Sequence, residues 1–164
     1  MWNIVNNTQT ADNMKETKTE HCLKMRISQI IETNFKICGD LLMSNEIDEK
    51  EIQVKIAVRF SHKNRDDLFS ITVAAIYEQT KENISKDIAL VETTTIFEIE
   101  EITNYFDFND DTIVDKANLI PQLLSVSIGN TRGYAASKLA NTPLSKFPIP
   151  MFDSKNFEPT KNRV

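Results

Sequence analysis

The sequence predicts an α+β fold: a four-stranded antiparallel β-meander sheet packed by one long C-terminal helix. Three observations predict it. Up to about residue 102 the apolar residues recur mostly at every second position, which is typical of strands. The polar segments between these runs are short, as in antiparallel hairpins. In residues 117–139 the apolar period changes to 3.6 residues, which is typical of a helix that lies on a sheet.

Four segments carry the strand pattern. The first begins at Leu23 and ends near Ile37, and its alternation slips at Ile30 and Ile31, which predicts a bulge. The second alternates strictly, which predicts one exposed face. The last three segments comprise residues 52–60, 68–79 and 88–102. Polar residues predict the connections at 44–51, 62–67 and 80–87.

The start of the helix has two alternatives. Asp110 or Asp111 is expected to cap a helix that begins near Thr112. Alternatively, Pro121 lies in the first turn and residues 112–119 form a separate approach. One arc of the helical projection is apolar and is expected to lie on the sheet. It comprises Ile120, Leu123, Leu124, Ile128, Tyr134, Ala135 and Leu139.

Small residues occupy roughly the opposite side of the helix. They are Ser125, Gly129, Gly133, Ala136 and Ala140. Each glycine costs about 1 kcal/mol relative to alanine in a helix interior. Such residues also simply tolerate exposure, but the cost of two glycines favours a close contact. We expect this face to make a close packing contact or an oligomer contact.

The proline-rich exit and the termini complete the organisation. Three prolines predict an extended path after the helix: Pro143, Pro148 and Pro150. Residues 1–20 are polar and predict a flexible arm, residues 21–153 form the α+β domain, and residues 154–164 form a short tail.

Composition excludes several classes of function. With three glycines in 164 residues, the chain has no phosphate-binding loop. A net charge of -5 argues against nucleic acid or an anionic membrane as the partner. The charge is uneven, because residues 78–116 hold eleven acidic and three basic residues, whereas residues 132–164 hold two acidic and six basic ones. The chain shows no signal peptide or apolar run of membrane-spanning length, so we expect a cytoplasmic protein.

The residues with catalytic or ligating chemistry form no motif. The candidate metal ligands His21, Cys22, Cys38 and His62 lack ligand spacing, so neither a metal nor another cofactor is expected. The carboxylate pairs are Glu98 with Glu100 and Asp110 with Asp111. Their acidic surroundings indicate a solvated face rather than an acid and base pair. We therefore expect that the protein is not an enzyme.

Aromatic and apolar residues in the second half exceed what one helix can cover, if residues 104–110 form a surface loop. This predicts an exposed apolar groove. The candidates are Phe97, Ile99, Tyr105, Phe106, Phe108, Phe147 and Ile149.

The order of these features resembles the SecB family of export chaperones. The resemblance is carried by I-F-E-I at residues 96–99, A-N-L-I-P-Q-L-L at 117–124 and N-T-P-L-S-K-F-P-I-P-M-F-D at 141–153. It implies an ATP-independent chaperone that holds unfolded polypeptides in the predicted groove. It also implies a homotetramer or dimer with the small helix face at the interface, and an acidic strand region at 78–101 that docks on the export ATPase.

The resemblance is incomplete at its end. SecB proteins continue into a second helix after the Phe-Asp pair, whereas eleven residues follow Asp153 here. That helix forms part of the client groove, so an adaptor for one dedicated partner, such as an antitoxin-type chaperone, is the alternative. A small-molecule carrier that uses the concave side of the sheet is a third hypothesis.

Overall fold

The computed structural model describes residues 23–43, 47–63, 67–109 and 112–151. It confirms the predicted α+β class, with a four-stranded antiparallel sheet and one long helix. The strands of the sheet are β1 (Met25–Ile37), β2 (Ile52–Lys63), β3 (Leu68–Lys81) and β4 (Ile84–Ile99). A hairpin follows, made of β5 (Phe106–Asn109) and β6 (Thr112–Asp115). The predicted arm at 1–20 and tail at 154–164 lie outside the described residues.

The strand order corrects the predicted four-stranded meander. The order is β1-β4-β3-β2, so only β2, β3 and β4 follow one another as hairpins. The link between β1 and β2, residues 38–51, contains the short helix α1 (Gly39–Met43) and a 3₁₀ turn at Glu49–Glu51. This link is long enough to separate the two strands, which form opposite edges of the sheet. The arrangement is that of a Greek key rather than a simple meander.

Two strand predictions are refined. The predicted bulge near Ile30 and Ile31 is resolved into two register shifts on either side of them, at Ile27/Gln29 and Glu32/Asn34. The predicted turn at 80–87 is too long, because β3 and β4 continue to a two-residue turn at Glu82 and Asn83, whose φ angles are 50° and 65°. Two consecutive positive φ angles are the signature of a type I′ hairpin turn.

The predicted helix start near Thr112 is wrong, and residues 106–109, which the groove prediction treated as part of a possible surface loop, form a strand. Thr112–Asp115 is a strand that pairs with Phe106–Asn109, and a 3₁₀ turn at Ile102–Asn104 precedes this hairpin. Phe106 and Phe108 alternate with polar residues, and Ile113 and Val114 are β-branched, so a hairpin suits this sequence better than a helix. Asp110 and Asp111 lie outside the described residues.

The long helix α2 (Ile120–Lys138) begins as the alternative start predicted, with Pro121 in its first turn. Asp115 caps it from a distance, since one carboxylate oxygen accepts from the Ala117 N–H and the other from the Ile120 N–H. The predicted apolar arc faces the sheet, and all its members are buried except Tyr134, which is partly buried. α2 packs on β3 and β4.

The exit after α2 is not extended throughout. The Pro143–Lys146 segment forms a 3₁₀ turn, capped by the Thr142 hydroxyl, which accepts from the Leu144 N–H. The chain then continues without regular secondary structure to Met151. The exit segment, defined as residues 143–151, is attached to α2 because the Arg132 guanidinium donates to the carbonyls of Ile149 and Pro150.

Candidate functional site

The residues predicted to line a groove divide between core and surface. Phe97, Ile99, Phe106 and Ile149 are 0–5% exposed and belong to the hydrophobic core. The remaining three are partly buried: Tyr105, Phe108 and Phe147. Four of the seven side chains therefore lie beneath the surface, and three reach it.

The predicted groove residues also divide between the two ends of β3. Phe106 stacks on Phe69, with ring centroids 5.1 Å apart. At the other end, Tyr77 lines a cleft of about 180 Å³ together with Phe147 and Ile149. Phe69 and Tyr77 are eight residues apart in one strand, which corresponds to about 26 Å at a rise of 3.3 Å per residue. The seven residues therefore do not form one compact pocket.

A strip of apolar side chains on β2 lies between these two groups. The strip faces the same side of the sheet as α2, because its members stand opposite the buried Ile71, Val73, Ala75 and Tyr77 of β3. Its members are partly buried: Val54, Ile56, Val58 and Phe60. We call this strip, with its two aromatic ends, the β2 trough.

Each end of the β2 trough is fixed by a specific contact. At one end the His62 ring stacks on Phe108, with centroids 3.9 Å apart and planes at 9°. At the other end Lys146 forms an ion pair with Glu49, which holds the exit segment and Phe147 near the start of β2. Among the described residues, the strip is thus partly exposed along its length, with the His62 and Phe108 rings at one end and the Lys146–Glu49 ion pair at the other.

The opposite face of β2 is polar and exposed. It presents Gln53, Lys55, Ala57, Arg59 and Ser61. Lys55 forms an ion pair with Glu78 of β3, with Nζ and Oε2 2.5 Å apart. Hydrogen bonds from Lys55 and then from Ser85 lower the pKa of the Glu78 carboxyl below its ordinary value. Beyond β3, no strand of the described chain pairs with β2.

A second apolar surface lies on β1, beside α2. Met25, Ile27, Ile30 and Ile37 are 37–45% exposed. A groove of about 410 Å³ lies between Ile30 and α2. Lys138 spans one end of it, with an ion pair to Glu32 of 2.8 Å and its ammonium 5.4 Å from the centre of the Phe35 ring.

The small-residue face of α2 lies partly beside β1, because Gly129 and Gly133 line the groove next to Ile30. All five predicted interface residues are exposed: Ser125, Gly129, Gly133, Ala136 and Ala140. A Cβ atom added at Gly129 or Gly133 would meet no atom within 4 Å. The face is thus accessible to another chain, and a Cβ atom fits at either glycine in the single chain.

The candidate chemical groups are engaged in ordinary contacts. Glu98 and Glu100 pair with Arg26 and Lys24 respectively, so each has a cation rather than a second acid as its partner. Burial raises the pKa of the Tyr77 hydroxyl. Cys38 is a partly buried free thiol, whereas His21 and Cys22 lie outside the described residues. In the part of the chain that the structure describes, no three His, Cys, Asp or Glu side chains lie close enough to hold a metal ion.

The sequence already indicated the apolar side chains of the β2 trough. The strict alternation of residues 52–60 identified Val54, Ile56 and Val58 as one face, but a face of that kind is normally covered. Coverage depends on where the helix lies, and α2 lies over β3 and β4. The sequence therefore identified these side chains as apolar, but it did not show that they would remain accessible.

The chain is similar in structure to solved proteins that include the following two. The Rv1957 SecB-like chaperone of Mycobacterium tuberculosis, solved in complex with a ChAD peptide from the Rv1956 HigA1 antitoxin, is 10% identical, with a TM-score of 0.49 over 78% of this chain and 88% of that chain. A Streptococcus agalactiae protein of unknown function is 10% identical, with a TM-score of 0.29 over 80% of this chain and 98% of that chain. No family model and no curated protein matches the chain. Within the described residues, no helix combines the length and apolar character needed to cross a membrane.

Proposed function

We propose that this protein is an ATP-independent, SecB-like holdase that binds extended apolar polypeptide segments in the β2 trough. One observation carries the proposal: the apolar strip of β2 is only partly buried, and it adjoins an edge of the same strand with which no strand of the described residues pairs. The predicted aromatic residues keep a role in this arrangement. Tyr105, Phe108 and Phe147 supply the accessible aromatic surface, and Phe97, Ile99, Phe106 and Ile149 support it from the core.

The free edge of β2 explains how different sequences are held. An extended client adds to this edge as a further strand, and its backbone N–H and C=O groups pair with those of β2. Backbone pairing is independent of the client sequence, whereas every second client side chain packs into the trough. Burial of apolar area contributes about 25 cal/mol per Å² and requires no nucleotide.

Suppression of aggregation tests the trough directly. Wild-type protein in fourfold molar excess is expected to reduce light scattering by a chemically denatured protein after dilution, without nucleotide. Ile56→Lys places a charge in the trough and is expected to abolish this effect. Ala57→Lys adds the same charge to the exposed opposite face of β2 and is the matched control.

Two outcomes would refute the proposal. Wild-type protein that leaves the aggregation unchanged is not a general holdase. If Ile56→Lys and Ala57→Lys are equally active and equally folded by circular dichroism, the trough is not the site. A single stoichiometric partner in a pull-down, together with no holdase activity, would instead support the adaptor for one dedicated partner.

We also propose that two copies associate through the small-residue face of α2. The exposed glycines at 129 and 133 permit close approach of another helix. Gly133→Leu is expected to shift the native mass toward the monomer while circular dichroism stays unchanged, because position 133 is exposed and has room for a Cβ atom. Gly133→Ala is the control that keeps the face small. A Gly133→Leu variant of wild-type mass would exclude this contact.

A further inference from the structure

The exposed face of β2 is basic, and the trough alone does not explain this charge. This face carries two basic side chains, Lys55 and Arg59, and no acidic one among Gln53, Lys55, Ala57, Arg59 and Ser61. The chain as a whole is acidic, with a net charge of -5. A basic edge on an acidic protein indicates a local requirement for positive charge.

Arg59 carries most of this unbalanced charge. Lys55 is already paired with Glu78. Arg59 stands opposite Thr72 of β3, which offers no carboxylate, and within the described residues it forms no ion pair. Its guanidinium is therefore available to a strand on the outer side of β2.

The edge is also geometrically suited to pairing. All twelve residues of β2 pair with β3 in an unbroken register. An added strand would continue the same pleat, so its side chains would alternate between the trough and the basic face. Directly opposed side chains in adjacent strands lie about 4.5–5.5 Å apart at Cβ, within reach of an ion pair.

We propose that the β2 edge selects client segments in which apolar residues alternate with acidic ones. This inference rests on the proposed function and adds the chemistry of the client to it. The apolar residues pack into the trough and the acidic residues pair with Arg59 and, more weakly, with Lys55. Each opposite-charge pair across two strands favours pairing by about 1.4- to 5-fold, so two pairs favour an acidic over a neutral segment by about two- to twenty-five-fold.

A protective role for the basic residues is the competing explanation. Lysine and other charges on edge strands prevent unwanted pairing with further copies of the chain. Charges that serve only to keep the β2 edge unpaired predict that the edge binds none of the peptides, whatever their charge. The two explanations therefore differ in a measurable way.

The experiment uses three fluorescein-labelled peptides that alternate valine with Glu, Gln or Lys and are otherwise identical. Fluorescence anisotropy with the full chain at low ionic strength is expected to give the tightest binding for the Glu peptide and the weakest for the Lys peptide, with a spread that shrinks as salt is added. Arg59→Glu is expected to reverse the order. Lys36→Glu makes the same change of charge at an exposed position of β1 and is expected to preserve the order.

The outcomes separate this inference from the proposed function. Equal affinity for the three peptides would overturn the acidic preference and leave peptide binding in the trough intact. Failure of all three peptides to bind would overturn both proposals. An equal loss of preference in Arg59→Glu and Lys36→Glu would show that overall charge, rather than the β2 edge, selects the peptide, and this too would overturn the inference.

Discussion

The two edges of the sheet differ in regularity. β2 pairs with β3 over twelve residues without interruption, whereas the register of β1 against β4 shifts twice. Bulges twist an edge and disturb further pairing, and they are a common protection of edge strands. The β2 edge has no such interruption and carries its protection, or its selectivity, as charge. Of the two edges, β2 is the one with the more regular register.

The edges also differ in what lies above them. On the helix side, the apolar residues of β1 are 37–45% exposed at Met25, Ile27, Ile30 and Ile37, whereas those of β2 are partly buried. The hairpin and the exit segment flank β2, and α2 lies over the central strands. Similar apolar patterns in two strands thus produce two different surfaces, because a third element determines how accessible each one is.

The largest expected effect concerns the aromatic residues that pack at the His62 end of the β2 trough. Phe106 is 1% exposed and stacks on Phe69 and Phe108. Phe106→Ala is expected to lower the free energy of unfolding by about 3–5 kcal/mol, through lost burial and the cavity left behind. Chemical denaturation measures it. Met25→Ala at the β1 edge, where the side chain is 40% exposed, is expected to cost less than about 1 kcal/mol; equal losses would mean that the two edges are equally supported.

A smaller effect concerns the position of α2 between the edges. Thr131 of α2 and Thr93 of β4 are 0% and 1% exposed, and their hydroxyls are 2.8 Å apart. Thr131→Val leaves the Thr93 hydroxyl without this partner and is expected to cost about 1–3 kcal/mol. Thr93→Val with Thr131→Val is expected to cost less than the sum of the single changes, because neither hydroxyl remains to be satisfied. Denaturation of the four proteins gives the coupling energy, and strict additivity would contradict the contact.

The sequence predicted the elements that are amphipathic along their own length. The strict alternation of β2 and the apolar arc of α2 both appear as predicted, since each depends on periodicity within one segment. The strand order and the hairpin at 106–115 were missed. β1 lies next to β4 because of long-range pairing that local pattern does not specify, and an acidic pair before Thr112 resembles a helix cap whether or not a helix follows.

The candidate site was predictable in part for the same reason. Phe108 and Phe147 were recognised as apolar residues in excess of one core, and the structure leaves both partly accessible. Phe97, Ile99 and Phe106 were recognised in the same way but are buried, because β5 folds back over Phe69. Residue type identifies what is apolar, and only the tertiary arrangement determines which apolar residues remain accessible.

The smallest expected effect concerns the ion pairs at the two edges. At β1 the Arg26 and Glu98 side chains are 73% and 40% exposed, and such a pair contributes little because water and salt screen it. At β2 the Glu78 side chain is 12% exposed and is bonded to Lys55 and Ser85, which lower the pKa of its carboxyl. Acidification should therefore weaken the pairing of β2 with β3 more than the pairing of β1 with β4.

The sign of this pH dependence follows from the direction of the shift. A carboxyl whose pKa is lower in the folded state stabilises the fold above its unfolded pKa, and this contribution is lost as the pH falls through the folded pKa. Glu78→Gln is expected to lose less stability than the wild type between about pH 6 and pH 3, a window that spans the ordinary glutamate pKa of about 4.3. Urea denaturation at several pH values measures the difference, and Lys55→Gln is expected to reduce the same slope by removing the principal donor. Parallel stability profiles for Glu78→Gln and the wild type would show that this ion pair does not distinguish β2 from β1.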